Sequence, residues 1–242
     1  ILSWGVNQFS IAFTSYSLPG LINKIIAAPL MYISGTLPGV LVAILAISVF
    51  WLVGVHGAAL VMGTLGSVMI PLAEQNAEAL SQGAQVLPNI VSQPFIDFFV
   101  NMGGSGSTFT LALLMIFATK SKQMKTLGKT AIGPGMFNIN EPILFGMPIV
   151  MNPIMMVPFI LAPLSAGTIT YLAMQFELVA RPYAIIPWTT PVFLSGFLTT
   201  GDWRAIILQL VTMTVAGMIY YPFLKYWDQK KFEEEQGVKG GE

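Results

Sequence analysis

Two stretches, LPGVLVAILAISVF at residues 37–50 and AIILQLVTMTVAGMI at residues 205–219, decide the fold class because they are almost continuously apolar. Runs that approach the roughly 20 apolar residues needed to span a bilayer predict transmembrane helices. Neither stretch alternates apolar and polar residues, as the strands of an outer-membrane barrel do. With 55% hydrophobic and 9% charged residues, the 242-residue chain has too little charge to cover a soluble domain. We therefore predict an all-α integral membrane protein.

Three regions follow from the distribution of polar residues along the chain. Residues 1–36 mix polar and apolar side chains, which favours an interfacial amphipathic helix. Residues 37–224 form the predicted transmembrane transport domain, and the charged residues 225–242 form a predicted cytoplasmic tail. Within the second region, the apolar run 39–71 is too long for one span and carries glycines at 54, 57, 63 and 66. It predicts two helical pieces separated by a break.

Several apolar segments are interrupted by glycine, proline and hydroxyl residues. Residues 94–119 contain the turn NMGGSGST at 101–108 and predict a helical hairpin, while 131–150 and 181–197 are crowded with Pro and Gly. Irregular backbone at membrane depth is tolerated where it lines a cavity, and broken segments mark a transporter's binding site. The predicted fold therefore has transmembrane helices, two re-entrant helical hairpins and an interfacial helix.

Two clusters of lysine predict the orientation. The first holds Lys120, Lys122, Lys125 and Lys129, and the second lies in the tail from Lys225 onward. Basic loops stay in the cytoplasm, so both clusters are predicted to be cytoplasmic. Two full spans predicted at residues 153–176 and 203–223 return the chain to the same side.

Glu141 is the first candidate for a functional group because its carboxylate lies in apolar, helix-breaking sequence, between Asn140 and Pro142. An ionisable group at membrane depth predicts a functional site. The alternative is a carboxylate that accepts backbone hydrogen bonds at a tight turn.

His56 and Trp188 are further candidates. His56, the single histidine, lies at the break between Gly54 and Gly57, and it is either a ligand-binding group or a packing residue. Trp188 lies in a broken segment and either stacks on a sugar or belongs to an interfacial belt. With one His, no Cys and no HExxH motif, we expect neither a metal site nor another cofactor.

The stretch NEPILFG at residues 140–146, followed by Pro148 and Asn152-Pro153, resembles a known family when it is read with WLVGVHG at 51–57 and the GSGS turn at 104–107. It is similar to the membrane-spanning C component of enzyme II of the bacterial phosphoenolpyruvate-dependent sugar phosphotransferase system, in the lactose, cellobiose and diacetylchitobiose branch. The resemblance covers nearly the whole chain and matches the C-terminal, substrate-binding part of the family.

The resemblance implies a multi-pass permease of the bacterial inner membrane that binds a β-linked disaccharide. A phosphorylated B component, which carries a phosphocysteine in this branch, would then phosphorylate the sugar's C6 hydroxyl. Glu141 would contact that hydroxyl as its general base, and His56 would lie near it. Asn140 and Trp188 would line the sugar, together with Gly103, Gly104 and Ser105 of the turn. The family's full-length protein has additional N-terminal spans and forms a homodimer in the lipid bilayer, and no nucleic acid is expected among its partners.

Two other readings of the residues stay open. An ion-coupled symporter would use Glu141 to bind a proton or Na⁺ and the Gly-Ser turn to bind a small polar substrate. An assembly subunit without a ligand would tolerate substitution at Glu141, Asn140 and His56.

Overall fold

The fold is described by a computed structural model that covers residues 35–147, 149–150 and 152–237. All regular secondary structure in these residues is helical. In chain order the helices are α1 (Leu37–Leu52), α2 (Gly57–Ser81), α3 (Gln93–Phe95), α4 (Thr108–Ala118), α5 (Lys122–Met136), α6 (Glu141–Gly146), α7 (Pro153–Gln175), α8 (Leu194–Thr200) and α9 (Arg204–Glu235), with a π-helical turn Ile96–Val100 that continues α3. The interfacial helix is predicted for residues 1–36, of which residues 1–34 lie outside the described part of the chain.

Three of these helices, α2, α7 and α9, are long and apolar enough to cross a membrane, and α1 and α4 are apolar but shorter. The spans predicted at 153–176 and 203–223 coincide with α7 and α9. However, α9 runs on to Glu235, so the first part of the predicted tail is helical. Its 32 residues correspond to about 48 Å, well beyond the roughly 30 Å of hydrocarbon in a bilayer.

The break predicted inside residues 39–71 separates α1 from α2. Gly54 has φ +82°, a left-handed conformation that glycine adopts at little cost, and it ends the first helix. Gly57 begins α2 where the two helices cross, since a Cβ there would lie 2.0 Å from the carbonyl oxygen of Ile47. α2 then continues through Pro71 to Ser81, about ten residues beyond the predicted end.

The core packs around α7, which contacts α9 and α1 along its length. Large aromatic side chains from three elements fill the space between these helices, and each is almost fully buried: Phe95, Phe98, Phe99, Phe159 and Tyr220. Burying aromatic side chains of this size dominates the packing energy of a core. This core fixes α3 and its π-helical turn against the long helices and so positions the glycine-rich turn that follows.

The three interrupted segments have distinct structures. Residues 101–107 are an irregular turn between the π-helical turn and α4. Residues 137–140 join α5 to α6, and residues 180–193 are mostly without helix before α8 begins. All three loops meet on one side of the core, through the hydrogen bonds described next.

Candidate functional site

The turn at residues 101–107 forms one wall of a cavity and requires its glycines. Gly103 and Gly104 have φ of +75° and +96°, a region that other residues adopt only with strain. There is also no room for a side chain, because a Cβ on Gly104 would lie 2.4 Å from Cγ of Asn140. The hydroxyl of Thr108 donates to the Gly103 carbonyl at 2.7 Å and holds the turn to the start of α4.

Two asparagines connect the turn to the other loops. Asn138 accepts from the Gly103 N–H at 2.9 Å through Oδ1 and donates through Nδ2 to the Trp188 carbonyl at 2.7 Å. Asn140 donates through Nδ2 to the Ser105 carbonyl at 2.7 Å. These bonds satisfy backbone groups that have no partner in a helix. Asn138 therefore joins three loops, whereas Asn140 is held beside the turn at the cavity wall.

Glu141 is the first residue of α6, and Pro142 follows at a position where a helix tolerates proline. The carboxylate is half-buried and forms no hydrogen bond or ion pair with the described residues. A carboxylate that served only to satisfy a turn would accept backbone N–H groups. Glu141 accepts no such bond from the described residues, which does not fit this alternative.

His56 is the N-cap of α2, and its Nδ1 accepts the Ala59 N–H at 3.1 Å. Its ring packs on Trp51 with centroids 4.4 Å apart and an interplanar angle of 48°. A ring nitrogen that accepts a hydrogen bond carries no proton, so this bond assigns the proton of neutral His56 to Nε2. The exposed edge of His56 is therefore a hydrogen-bond donor.

These side chains surround a cavity of about 280 Å³. It is lined by Trp51, His56, Ala58, Ala59, Met62, Gln93, Asp97, Asn101, Gly104, Ser105, Asn138, Asn140, Glu141 and Trp188. The volume is near the lower end of the roughly 300–1,000 Å³ usual for small-molecule pockets. Six of the seven predicted site residues line it, and Gly103 lies behind the wall, bound to Asn138. Their roles in binding and catalysis stay predictions.

Sequence reasoning missed several lining residues, of which Asp97 matters most. It is half-buried in the π-helical turn, and its side chain interacts with that of Gln93. Like Glu141, Asp97 is a carboxylate in an apolar segment, so the same sequence pattern marks it as a candidate. Two lining residues, Trp51 through Nε1 and Gln93 through Oε1, also have a buried polar atom without a hydrogen-bond partner in the described part of the chain. Unsatisfied buried groups beside a cavity are typical of a ligand site.

The electrostatic character of the lining favours a neutral polar ligand with many hydroxyl groups. Asp97 and Glu141 offer strong acceptors, the amides offer both donors and acceptors, and Trp51 and Trp188 offer aromatic faces. Among the described residues, no lysine or arginine lines this cavity. The described residues also contain no group of three or more His, Cys, Asp or Glu side chains that could hold a metal ion.

A family model and several curated relatives match this chain. The family described as "Phosphotransferase system, EIIC" matches residues 3–163. The lichenan permease IIC component of Bacillus subtilis (strain 168) is 41% identical over 240 residues, which cover 98% of this chain and 53% of that protein. The cellobiose-specific EIIC component of Geobacillus stearothermophilus is 44% identical over 223 residues, which cover 91% of this chain and 49% of that protein.

A solved structure is similar over almost the whole chain. It is the crystal structure of the transporter ChbC, the IIC component from the N,N'-diacetylchitobiose-specific phosphotransferase system. The match has a TM-score of 0.84 and 40% sequence identity and covers 98% of this chain and 55% of that one. The chain thus spans about half the length of the relatives it matches.

Proposed function

The chain belongs to the EIIC family of the phosphotransferase system, as the resemblance predicted, and on that premise we propose that it is the sugar-binding part of a disaccharide permease. The substrate is a β-linked disaccharide of the cellobiose or diacetylchitobiose type, and its C6 hydroxyl is presented to a phosphorylated B component. One observation carries the proposal. The carboxylate of Glu141, without a partner in the described residues, lies in a cavity that also holds aromatic faces and amides.

The choice of substrate class rests on the lining and on the relatives. Tryptophan faces stack on the C–H faces of sugar rings, and carboxylates and amides bind the hydroxyl groups. The two carboxylates of the lining, Asp97 and Glu141, disfavour acidic sugars, and none of the described lining residues is a lysine or arginine that would offset them. The relatives' names specify lichenan, cellobiose and diacetylchitobiose, all of which indicate glucose or N-acetylglucosamine units.

The chemistry assigned to Glu141 is proton removal from the C6 hydroxyl. As that oxygen forms a bond to phosphorus, the bond from phosphorus to the sulfur of the B component breaks, and the hydroxyl proton passes to Glu141. Phosphoryl transfer depends mainly on positioning and on electrostatic stabilisation. His56 supplies an Nε2–H donor for the C6 oxygen or the incoming phosphoryl group, because its Nδ1 is occupied by the Ala59 N–H. Trp51 fixes the plane of the His56 ring.

The proposed setting is the inner membrane, crossed several times. α2, α7 and α9 cross the bilayer, and the loops at 101–107 and 137–140 lie at membrane depth as the tips of re-entrant segments, where irregular backbone lines the cavity. The lysines of α5 lie on the cytoplasmic side. The relatives are about twice as long as this chain. We expect the corresponding whole protein to form a homodimer.

The experiment measures sugar binding and phosphorylation separately. Tryptophan fluorescence reports titration with cellobiose, diacetylchitobiose and lactose, with glycine as the control ligand, for the wild type, Glu141→Gln and the matched surface variant Glu74→Gln. Phosphoryl transfer is measured with a phosphorylated B component and the full-length protein. We expect Glu141→Gln to lower the rate about 10²- to 10⁴-fold, as removal of a general base does, and Glu74→Gln to leave it unchanged.

Two results would contradict the proposal. Normal phosphorylation by Glu141→Gln would exclude its role as the base. Saturable binding of glycine, or uptake that an ionophore abolishes while phosphoenolpyruvate is present, would support an ion-coupled symporter instead.

A further inference from the structure

One face of α5 carries a row of exposed lysines. At about 100° per residue, Lys122, Lys125 and Lys129 fall within roughly 60° of one another around the helix. All three are exposed. The opposite face carries the buried residues Met124, Gly128, Ala131 and Gly135. Gly128 packs so closely on α4 that a Cβ would lie 2.8 Å from Cβ of Met115.

These lysines do not stabilise α5. Lys122 and Lys125 lie in the first turn, where the positive end of the helix dipole makes a cation unfavourable. The nearby acids Asp228 and Glu235 of α9 bind backbone N–H groups of residues 120–123. Of the three lysines, Lys122 also interacts electrostatically with Glu235. No ion pair to Lys125 or Lys129 occurs in the described residues. Their charge is therefore available to a partner.

The same helix leads to the cavity. Lys129 is seven residues before Met136, about 10 Å along the axis. The Met136 carbonyl accepts the Val192 N–H at 3.0 Å, and Asn138 follows as the residue that joins the three loops. A partner bound to Lys125 and Lys129 would lie near the cavity rim.

A membrane surface fits this face less well than a protein does. A helix that lies in the bilayer interface buries its apolar face in lipid. The apolar face of α5 instead packs on α4, and Thr126, Lys129 and Gly133 occupy the outer face. Lysine binds a phosphoryl group as a point charge.

We propose that the lysine face of α5, formed by Lys122, Lys125 and Lys129, is the docking surface for the phosphorylated B component. This inference rests on the proposed function. The face attracts the negatively charged phosphoryl group, and it directs the donor to the cavity at the end of the same helix. Charges of this kind act mainly on the association rate and its dependence on salt.

The test uses the full-length protein in nanodiscs of neutral lipid. Lys125→Gln with Lys129→Gln removes two charges, Lys125→Arg with Lys129→Arg retains them, and Lys230→Gln with Lys231→Gln removes two charges from α9 as the matched control. We expect only the first pair to weaken binding of the phosphorylated B component and raise its KM, by about five- to tenfold. The salt dependence should flatten, while kcat and sugar affinity change less than twofold.

Three results would overturn the inference. They are an unchanged KM for the B component, an equal effect of the α9 pair, or an effect that is present only with anionic lipid, which would assign the face to lipid headgroups. A wild-type protein that binds the B component but transfers no phosphoryl group would refute the proposed function. Loss of that binding in the first variant would still support the surface.

Discussion

The carboxylates at the two ends of α5 are used in opposite ways. At its N-terminus, Asp228 accepts the N–H groups of Lys120 and Ser121 at 2.9 Å, and Glu235 accepts the Gln123 N–H at 2.9 Å. Beyond its C-terminus, Glu141 accepts no hydrogen bond from the described residues. The difference separates acids that hold the fold together from an acid that forms no hydrogen bond with the described residues, as the proposed role of Glu141 in ligand binding requires.

The reason lies in the backbone around each group. The first turn of a helix leaves N–H groups without partners, and its dipole favours an anion there. Asp228 is only 2% exposed. Its burial is tolerated because two N–H groups donate to it, that of Lys120 shared between both carboxylate oxygens and that of Ser121. At the cavity, amide side chains take the corresponding role, since Asn138 and Asn140 bind the turn. Glu141 is thereby left without a structural task.

Exchanging Asp228 and Glu141 for their amides tests this comparison most directly. Asp228→Asn should lower the free energy of unfolding by about 2–3 kcal/mol, because an NH₂ group would face backbone N–H donors in a buried place. Glu141→Gln should change it by less than about 0.5 kcal/mol, as expected where no contact is lost. Thermal unfolding in detergent measures both.

The two variants should also differ in sugar binding. Folded Asp228→Asn should bind the disaccharide with wild-type affinity, because Asp228 contacts α5 at the end away from the cavity. Equal stability of the two variants, or loss of binding by Asp228→Asn alone, would show that the distinction between the two ends is wrong.

Replacing Asn138 tests whether amide side chains hold the cavity loops together, and its expected effect on stability is smaller. Asn138→Ala should lower stability by about 1–2 kcal/mol, since it leaves the Gly103 N–H without a partner. It should also weaken sugar binding, by about tenfold, because the turn and the Trp188 loop lose their shared anchor. Asn101→Ala is the matched control, as the Asn101 side chain lines the cavity but forms no hydrogen bond with the described residues.

The stability of the two asparagine variants shows whether Asn138 is a specific anchor. If Asn101→Ala destabilises the protein as much as Asn138→Ala does, Asn138 is not a specific anchor. If Asn138→Ala changes neither property, the three loops are held together by packing alone.

Much of the fold could be predicted from the sequence because its signals are local. The apolar runs gave α7 and α9, and Gly54 marked the break after α1. The predicted ends of α2 and α9 are too early, since the polar residues after Pro71 and Phe223 indicate an exit from the membrane although the helices continue. A polar side chain at a helix end does not stop a helix that has partners beyond it.

The candidate site was predictable only where a motif marks it. NEPILFG and WLVGVHG pointed to Glu141, Asn140 and His56, which do line one cavity. The role of Asp228 could not be predicted, because the N–H groups that it binds are 107 and 108 residues away in the chain. Asp228 lies among the charged residues of the predicted tail, so nothing local marks it as a structural acid, and only the packing of α9 against α5 shows its role.

Replacing Glu235 should have the smallest effect on stability. It tests whether burial explains why Asp228 and Glu235 stabilise the protein to different extents. Glu235 is exposed, and it accepts the Ser121 hydroxyl at 2.7 Å and the Lys122 N–H at 3.0 Å. Glu235→Gln should lower the apparent Tm by only about 1–2 °C. Salt at about 1 M should abolish this difference, because exposed charges are screened over a few ångströms, whereas it should leave the effect of the buried Asp228→Asn intact. Glu233→Gln is the control, because Glu233 lies two residues before Glu235 and binds only Gln229 of its own helix, whose bond a glutamine oxygen can still accept; it should behave as wild type. A loss at Glu235 as large as that at Asp228, or one that persists in salt, would show that the number of hydrogen bonds, and not burial, determines how much each carboxylate stabilises α5.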